Sequence, residues 1–322
     1  VKDKIGFYYC DIDQSILTKG FTDDINTSLH KYQYENLKKG NLPKIYPYKN
    51  YKENKDGTDG ALQGNDWTHD KILKDYFIST VMIEQLKKYG CKVEIKSGIY
   101  FTDKVKGCDL FEFLLDLMEK KNEQDLFKKN KDPKYNEALR SCYKLLSNGI
   151  SGKVIEGLHV DKTECVDAEK YHKIANDKNT KEMTCINIIG SSIFASYTKT
   201  EESKLAEQRP VFWGVLVYDY AKCYMYDHTY SIVGLKNLLY TDTDATKCRY
   251  KHGLGCPKLM DYMKNLKVPA WDKAKARDPR YEYHKLYDAK SKVYGSFENE
   301  LEDLANDGVE QNYFCCVQKK FY

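Results

Sequence analysis

The sequence IGFYYCDIDQ, residues 5–14, is a short apolar and aromatic run that ends in two carboxylates. Apolar residues over this length, followed by polar residues, predict a buried β-strand. Such a strand would hold Asp11 and Asp13 on rigid backbone at its end. We therefore expect a sheet that presents acidic side chains at the end of one strand.

A second pair of carboxylates lies in YTDTDA, residues 240–245, where Asp242 and Asp244 are one residue apart. Two leucines precede this segment, so the pattern predicts a strand that breaks into an acidic hairpin turn. Aspartate is common in turns, and an isolated pair of this kind is typical of a solvated hairpin. Together with Asp11, however, it makes a two-metal site geometrically reasonable, because Mg²⁺ prefers oxygen ligands.

The segment LRSCYKLLSNGISGK, residues 139–153, has the periodicity of an amphipathic helix. One predicted face is polar and carries Arg140, Lys144, Asn148 and Ser151. The opposite face is apolar and carries Leu139, Tyr143, Leu146 and Ile150. We expect the apolar face to pack and the polar face to suit a triphosphate and a sugar. Alone, the pattern equally indicates an ordinary surface helix.

The rest of the chain shows helices and strands without a regular βαβ rhythm, which predicts an α+β fold and not a doubly wound sheet. The predicted elements are a loop-rich segment at 42–65, a helix at 68–89 closed by Gly90, a strand at 91–101, a helical hairpin at 109–123 and 133–150, a strand at 185–197 and a helix at 210–228. In that last helix, Trp213 and Val217 are expected to be buried, and Trp67 and Trp271 are also expected in the core.

Composition excludes several classes of protein. No segment approaches the ~20 apolar residues of a membrane span, and residues 1–11 lack the pattern of a signal peptide. The 11 cysteines are scattered and odd in number, which favours reduced thiols in a cytosol-like compartment. A net charge of +4 does not by itself indicate a nucleic-acid binder, yet 52 Lys and Arg residues can still gather on one face.

Four motifs resemble those of family B DNA polymerases. In chain order, CDIDQSIL around Asp11, KLLSNGISGK at 144–153 and YTDTDA at 240–245 resemble motifs A, B and C, and KKFY at 319–322 resembles the KxY motif. Four motifs in this order are more specific than any one alone, and the resemblance covers nearly the whole chain. It implies a palm with an antiparallel sheet and packed helices, an α-helical hairpin as the fingers subdomain, and DNA-directed addition of deoxynucleotides to a primer 3′ end.

The resemblance also implies roles for individual residues. Asp11, Asp242 and Asp244 would be catalytic and would bind two Mg²⁺ ions, with Mn²⁺ as the alternative. The implied nucleotide-binding residues are Ile12, Asp13, Gln14, Ser15 and Ile16, mainly through backbone, together with Arg140, Lys144, Asn148 and Ser151. The implied DNA-binding residues are Tyr240, Lys320 and Tyr322. Attack by the primer 3′ hydroxyl on the α-phosphate would be assisted by the two ions.

By the same resemblance the chain divides into six segments. They are 1–20 (first palm strand), 21–65 (inserted segment), 66–106 (palm helix and strand), 107–152 (fingers hairpin), 153–205 (second insertion) and 206–322 (remaining palm). The implied partners are primer–template DNA, deoxynucleoside triphosphates and the exonuclease and thumb of a longer chain, but no membrane. Insertions of this kind in protein-primed relatives contact a terminal protein, so viral or plasmid replication in the cytoplasm or a host-cell replication compartment is expected.

Some positions depart from the family pattern. Ile16 and Ser151 stand where most relatives carry tyrosines that wall the sugar pocket, which leaves discrimination against ribose open. Ala245 replaces the usual serine of motif C. Cys248, His252 and Cys256, with Cys223 as a further candidate ligand, have spacing that is compatible with zinc or with reduced thiols in a loop. The alternative function is an inactive polymerase-like scaffold that binds DNA, which the presence of all three carboxylates disfavours.

Overall fold

The structure is a computed structural model that describes residues 4–22, 25, 28–54, 59–102, 110–155, 161–199, 210–249, 257–269, 283–285 and 297. The chain divides into two compact units, unit 1 with residues 1–115 and 219–322 and unit 2 with residues 116–218. Every described sheet is antiparallel, and helices and strands occur in both units. The predicted α+β class is therefore confirmed.

Unit 1 contains the first and last described elements. The first are β1 (Gly6–Asp13), α1 (Ser15–Lys19), α2 (Lys31–Lys38), β2 (Tyr48–Glu53), β3 (Asp59–Asp66), β4 (Leu73–Ser79), α3 (Thr80–Lys88), β5 (Lys92–Tyr100) and the start of α4 (Leu110–Lys129). Unit 2 continues with α5 (Glu137–Ile155), β6 (Asp161–Val166), α6 (Ala168–Ala175), β7 (Thr180–Ile189), β8 (Ser192–Lys199) and the first part of α7 (Val211–Met225). Unit 1 resumes with a π-helical turn (Tyr226–Tyr230), α8 (Ser231–Val233), β9 (Leu238–Asp242), β10 (Ala245–Cys248), α9 (Pro257–Asn265), β11 (Lys267–Pro269) and β12 (Tyr283–Lys285).

The predicted first strand is confirmed as β1, which is the central strand of a three-stranded sheet in the order β4-β1-β5. Alternation along the strand directs Tyr8, Cys10 and Ile12 into the core of unit 1. There they meet aliphatic side chains of α1 and α3, such as Leu17 and Leu86, which are fully buried. Each buried aliphatic side chain contributes about 1.5–3 kcal/mol, so this core fixes the position of β1 and of the acidic residues at its end.

The helix predicted at 68–89 is wrong in its first half, where the chain forms β4 instead. Tyr76, Phe77 and Ile78 are aromatic or β-branched, and they gain strand pairing with β1. The helix begins only at Thr80, because the Ser79 hydroxyl accepts a hydrogen bond from the backbone N–H of Met82. At its end Gly90 has φ +76°, so the predicted glycine stop is confirmed.

The segment at 42–65 was predicted to be a loop, but the structure shows an antiparallel hairpin of β2 and β3. Leu42 and Lys44, which precede the hairpin, are buried. Strand β2 exposes lysine, asparagine and tyrosine, and β3 exposes Gln63 and Asn65, so neither sequence has the apolar alternation that predicts a half-buried strand. The prediction of a loop failed for this reason.

In unit 2 the two predicted helices of the hairpin are confirmed as α4 and α5, each longer than predicted. The Gln124 side chain accepts a hydrogen bond from the backbone N–H of Asn136, and Asp125 pairs with Arg140. The single strand predicted at 185–197 is instead two strands, because Gly190 adopts φ +62° and turns β7 back into β8. Strand β8 is the middle strand of the order β6-β8-β7.

The predicted orientation of α7 is wrong. Trp213 and Val217 are 40% and 51% exposed, and Trp67 in unit 1 is 44% exposed, while Trp271 lies outside the described residues. Helix α7 packs in unit 2 through Gly214, where an added Cβ would collide with Ile155. The helix is apolar on almost all sides, so periodicity could not identify the packed face.

Candidate active site

Asp11 lies near the end of β1 and binds a cationic side chain. Its carboxylate is 2.8 Å from the ammonium of Lys96 and accepts a hydrogen bond from the backbone N–H of Asp75 at 3.0 Å. The same ammonium is 2.8 Å from the carboxylate of Asp75. The hydrogen bond from Lys96, and next that from the Asp75 backbone, hold the pKa of Asp11 below its usual range. Asp11 is therefore an ionised carboxylate in a position that holds a positive charge.

Two strand irregularities bring these groups to the carboxylate. In the pairing of β1 with β5, Tyr9 lies opposite Ser97 and Cys10 opposite Ile95. Lys96 is therefore the extra residue of a bulge in β5. In the pairing of β1 with β4, Cys10 lies opposite Tyr76 and Ile12 opposite Leu73, so β4 also contains an extra residue at this point. Asp75 lies in this irregular part of β4 and has φ +56°. Bulges redirect side chains and often lie beside active sites, and a non-glycine residue at positive φ is strained. Both neighbouring strands thus deviate where they meet Asp11.

Asp13 stabilises the turn that follows β1. The Asp13 carboxylate accepts a hydrogen bond from the backbone N–H of Ser15 at 2.9 Å. Burial opposes ionisation, but these local hydrogen bonds with Ser15 leave the pKa of Asp13 lowered. The side chains of Ile12 and Gln14 are buried and Ile16 packs against the core, so a nucleotide could reach this turn mainly through backbone. Of the two carboxylates, Asp13 therefore stabilises the turn, whereas Asp11 holds the Lys96 ammonium.

Gln14 and Lys44 hold this turn from inside the protein. The Gln14 amide donates to the carbonyl of Tyr46 at 2.9 Å and accepts from the backbone N–H groups of Ile45 and Tyr46 at 2.8 and 3.0 Å. The fully buried ammonium of Lys44 donates to the Gln14 carbonyl and the Thr18 hydroxyl, both at 2.8 Å. Since these polar groups satisfy one another, the backbone that follows Asp11 is fixed.

The second acidic pair lies where the sequence predicts it, at the turn between β9 and β10. Asp242 accepts hydrogen bonds from the hydroxyls of Tyr240 and Thr243, both at 3.1 Å. Thr243 has φ +49°, an uncommon conformation for a β-branched residue. Asp242 and Asp244 are both exposed, so their oxygens are accessible to a ligand.

A buried polar network stabilises the π-helical turn that adjoins this hairpin. The Asp227 carboxylate accepts hydrogen bonds from Gln85, Lys88 and Tyr89 at 2.7–2.8 Å. Thr229, two residues further along, contacts the Thr246 hydroxyl of β10 at 3.5 Å. π-Helical turns are frequent near functional sites, and this one supports the strand that follows the acidic turn.

The structure does not gather the three predicted metal ligands around one point. Among the described residues, no three His, Cys, Asp or Glu side chains form a group that could hold a metal ion. The hairpin of β9 and β10 forms a two-stranded sheet, separate from the sheet that carries Asp11. The donor set nevertheless fits Mg²⁺ in its chemistry, because all three side chains offer carboxylate oxygens and Asp11 already binds a cation. The shared metal site stays a prediction.

On α5 the predicted polar face is partly engaged within unit 2. Lys144 and Asn148 are exposed, whereas Arg140 forms an ion pair with Asp125 on α4, as does Lys121 at 2.7 Å. The expected packing of the opposite face is found only in part, since Tyr143 and Ile150 are half-buried whereas Leu139 and Leu146 are 44% and 45% exposed. Ion pairs of Arg140 with Asp125 and of Lys128 with Glu137 join the two helices. Ser151 lies within α5.

Of the remaining candidate residues, some form local contacts and the others lie outside the described residues. Tyr240 donates its hydroxyl hydrogen bond to Asp242, so it is tied to the acidic turn. Cys223 packs against Met82 at 3.7 Å between sulfurs, and burial raises its pKa to about 12. Lys320, Tyr322, His252 and Cys256 lie outside the described residues.

Sequence reasoning missed Lys96, Asp75, Lys44 and the structural role of Gln14. The alternation of β5 predicts a strand, but the extra residue that turns Lys96 toward Asp11 depends on the register between strands. No local signal distinguishes Lys44 from the many exposed lysines around it.

No protein-family model, curated protein or solved structure matches the chain. Of the helices in the described ranges, none combines the length and apolar character needed to cross a membrane.

Proposed function

We propose that this chain is the palm and fingers part of a DNA-directed DNA polymerase similar to family B. The observation that carries the proposal is the environment of Asp11, the aspartate of the first motif. It is an ionised carboxylate at the end of the central strand, between two bulges, and it already binds a positive charge. The helix and acidic hairpin that follow in the chain have the order of motifs B and C.

The proposal assigns a task to each element. Asp11, Asp242 and Asp244 would hold Mg²⁺, which when bound supplies the charge that activates the primer hydroxyl and stabilises the leaving pyrophosphate. The backbone at 12–15 would orient the triphosphate, because its conformation is fixed from inside. Lys144 and Asn148 are accessible on α5 and would contact the incoming nucleotide. Tyr240 would contact DNA beside the acidic turn, and Lys320 and Tyr322 would contact the primer terminus.

The ion pair at Asp11 has a consequence for this proposal. A metal ion can bind Asp11 only when the Lys96 ammonium moves away from the carboxylate. The Lys96 side chain is 39% exposed and flexible, so this movement costs little. Lys96 would then remain near the triphosphate as a mobile positive charge.

A second candidate is a catalytically inactive scaffold that binds DNA or replication proteins. The observation that favours it is that the described residues include no group of three metal-ligating side chains. Such a protein would bind primer–template DNA without extending it. Extension of a bound primer therefore distinguishes the two candidate functions.

Primer extension with Mg²⁺ on a labelled primer–template tests the proposal. The wild-type chain should extend the primer according to the template, and Asp11→Asn and Asp244→Asn should each reduce the rate by about 100-fold or more. Glu84→Gln removes an exposed carboxylate of α3 and should extend normally. Wild-type protein that binds the primer–template but does not extend it would favour the scaffold. Parallel reactions with ribonucleotides would show whether Ile16 and Ser151 permit discrimination against ribose.

A further inference from the structure

A groove of about 570 Å³ lies in unit 1 between β2 and the segment that forms the beginning of β4. Its walls carry three tyrosines and three lysines, Tyr48, Tyr51, Tyr76, Lys49, Lys71 and Lys74, and no acidic residue lines it. The groove is open to solvent, and none of the residues that line it belongs to the four sequence motifs. Its composition is aromatic and basic.

The positive charge of the groove is not neutralised within the described part of the protein. None of its three lysines forms an ion pair with a described residue. The Lys71 ammonium instead lies 3.8 Å from the centre of the Tyr48 ring. The acidic residues next to the groove already have partners, since Asp70 pairs with Lys19 at 3.4 Å and Asp75 with Lys96. The groove therefore presents a net positive surface to a ligand.

Two of the three tyrosine rings pack against rings of the protein beneath them. The Tyr76 ring lies 6.0 Å from that of Tyr46, and the Tyr48 ring lies 5.9 Å from the imidazole of His69. The Tyr51 side chain is 40% exposed. All three tyrosines line the groove. Burial raises the pKa of Tyr76, and the phenols of Tyr51 and Tyr48 raise it further.

We propose that this groove binds single-stranded nucleic acid. Lysines along a groove attract the phosphate backbone, and fixed aromatic rings stack with bases in a way that tolerates any sequence. Paired bases do not offer their faces for stacking, so a single strand fits this surface better than a duplex. In the sheet, Leu73 of the groove wall pairs with Ile12, which follows Asp11. A strand in the groove would thus pass beside the proposed active site, although the binding itself does not depend on polymerase activity.

Fluorescence anisotropy with a labelled oligodeoxythymidylate of about 12 nucleotides tests this site. The measurement is made in EDTA and without nucleotides over a series of salt concentrations. The triple variant Lys49→Gln, Lys71→Gln, Lys74→Gln should bind at least about tenfold more weakly at low salt. Its plot of log affinity against log salt should be shallower by about 2, because each phosphate contact on a single strand contributes about 0.7. Tyr51→Leu should weaken binding about tenfold and leave that slope unchanged.

The matched control is Lys31→Gln, Lys38→Gln, Lys39→Gln, which removes the same charge from exposed positions at α2. Thermal unfolding of all variants should be similar, so that differences in binding reflect the groove. Equal losses in the two triple variants would overturn the proposal, and so would unchanged binding in the groove variant. Displacement of the oligonucleotide by an equal concentration of duplex or of an acidic peptide would overturn it as well.

The two proposals fail in different ways. Binding that depends on the groove, in a protein that never extends a primer, would contradict only the proposed polymerase function. Primer extension by a chain whose groove variant binds the oligonucleotide as well as the wild type would contradict only the groove.

Discussion

At the scale of single residues, the main feature of the candidate site is the ion pair between Lys96 and Asp11. Their ion pair is partly exposed, and it lies where a metal ion would bind in the proposed polymerase. Because the ammonium competes with any cation for the carboxylate, Lys96→Met should tighten the binding of Mn²⁺ by about threefold, a small effect typical of an exposed pair. Electron paramagnetic resonance of free Mn²⁺ measures this affinity.

The control for that experiment is Lys38→Met, which removes an exposed lysine of α2 that is not among the groups acting on the Asp11 carboxylate. It should leave Mn²⁺ binding unchanged. Unchanged or weaker binding in Lys96→Met would mean that the ammonium does not compete for Asp11.

Gln14 is a second case in which one residue determines local geometry. Its side chain is 1% exposed and makes three hydrogen bonds with the backbone of residues 45 and 46. Gln14→Leu would leave these buried groups unsatisfied and should lower the free energy of unfolding by about 3 kcal/mol, measured by urea titration. Gln63→Leu changes an exposed glutamine of β3 and should alter stability little. Equal effects of the two substitutions would refute the assigned role of Gln14.

At the scale of secondary structure, the hairpin of α4 and α5 is stabilised by charged contacts. Burial opposes ionisation of Asp125, but hydrogen bonds from Lys121 and Arg140 outweigh it and leave the pKa of Asp125 lowered. A carboxylate whose pKa is lower in the folded than in the unfolded protein stabilises the fold. This contribution is fully present above the pKa of the unfolded state, about 3.9 for Asp, and is lost as the pH falls through the pKa of the folded state. Asp125 should therefore stabilise the folded protein at neutral pH but not in acid.

Asp125→Asn should lower the free energy of unfolding by about 1–2 kcal/mol at neutral pH, because two cations lose their shared partner. The difference from the wild type should disappear below the folded pKa. Urea unfolding followed by circular dichroism at several pH values measures both effects. Glu123→Gln, an exposed position of the same helix, is the control, and a loss that persists in acid would contradict the assigned ion pairs.

The elements that the sequence predicted share a clear local pattern. Strand β1 is an apolar run, and the helical hairpin has two long segments separated by a polar turn, of which α5 has the periodicity of an amphipathic helix. Strand β4 was mistaken for helix because its apolar residues also satisfy helical spacing, and only pairing with β1 decides between the two. The hairpin of β2 and β3 was missed because both of its faces are polar.

The candidate site could be predicted only in part. The sequence identified Asp11 and the acidic turn, because a strand end and a hairpin turn have local signals. It could not identify Lys96, since the bulge that directs this lysine arises from the register of separate strands. Nor could spacing along the chain indicate that Lys44 would be buried beneath the turn after Asp11.

At the scale of the whole molecule, the account depends on acids from two distant segments acting on the same cations. Asp11 lies in a three-stranded sheet and the other two acids in a hairpin, all within unit 1. The order of the motifs predicts that these segments cooperate when substrate and metal bind. The groove proposed to bind a single strand includes Leu73, which pairs with Ile12 next to Asp11 in sequence.

Mn²⁺ binding to Asp11→Asn, Asp244→Asn and the double variant tests this cooperation most directly. Ligands of a shared site are not independent, so each single substitution should remove most of the tight binding and the double variant should be little worse than either. Glu84→Gln should bind as the wild type does. Losses that add up in the double variant, or single variants that bind Mn²⁺ normally, would contradict a site shared by these acids.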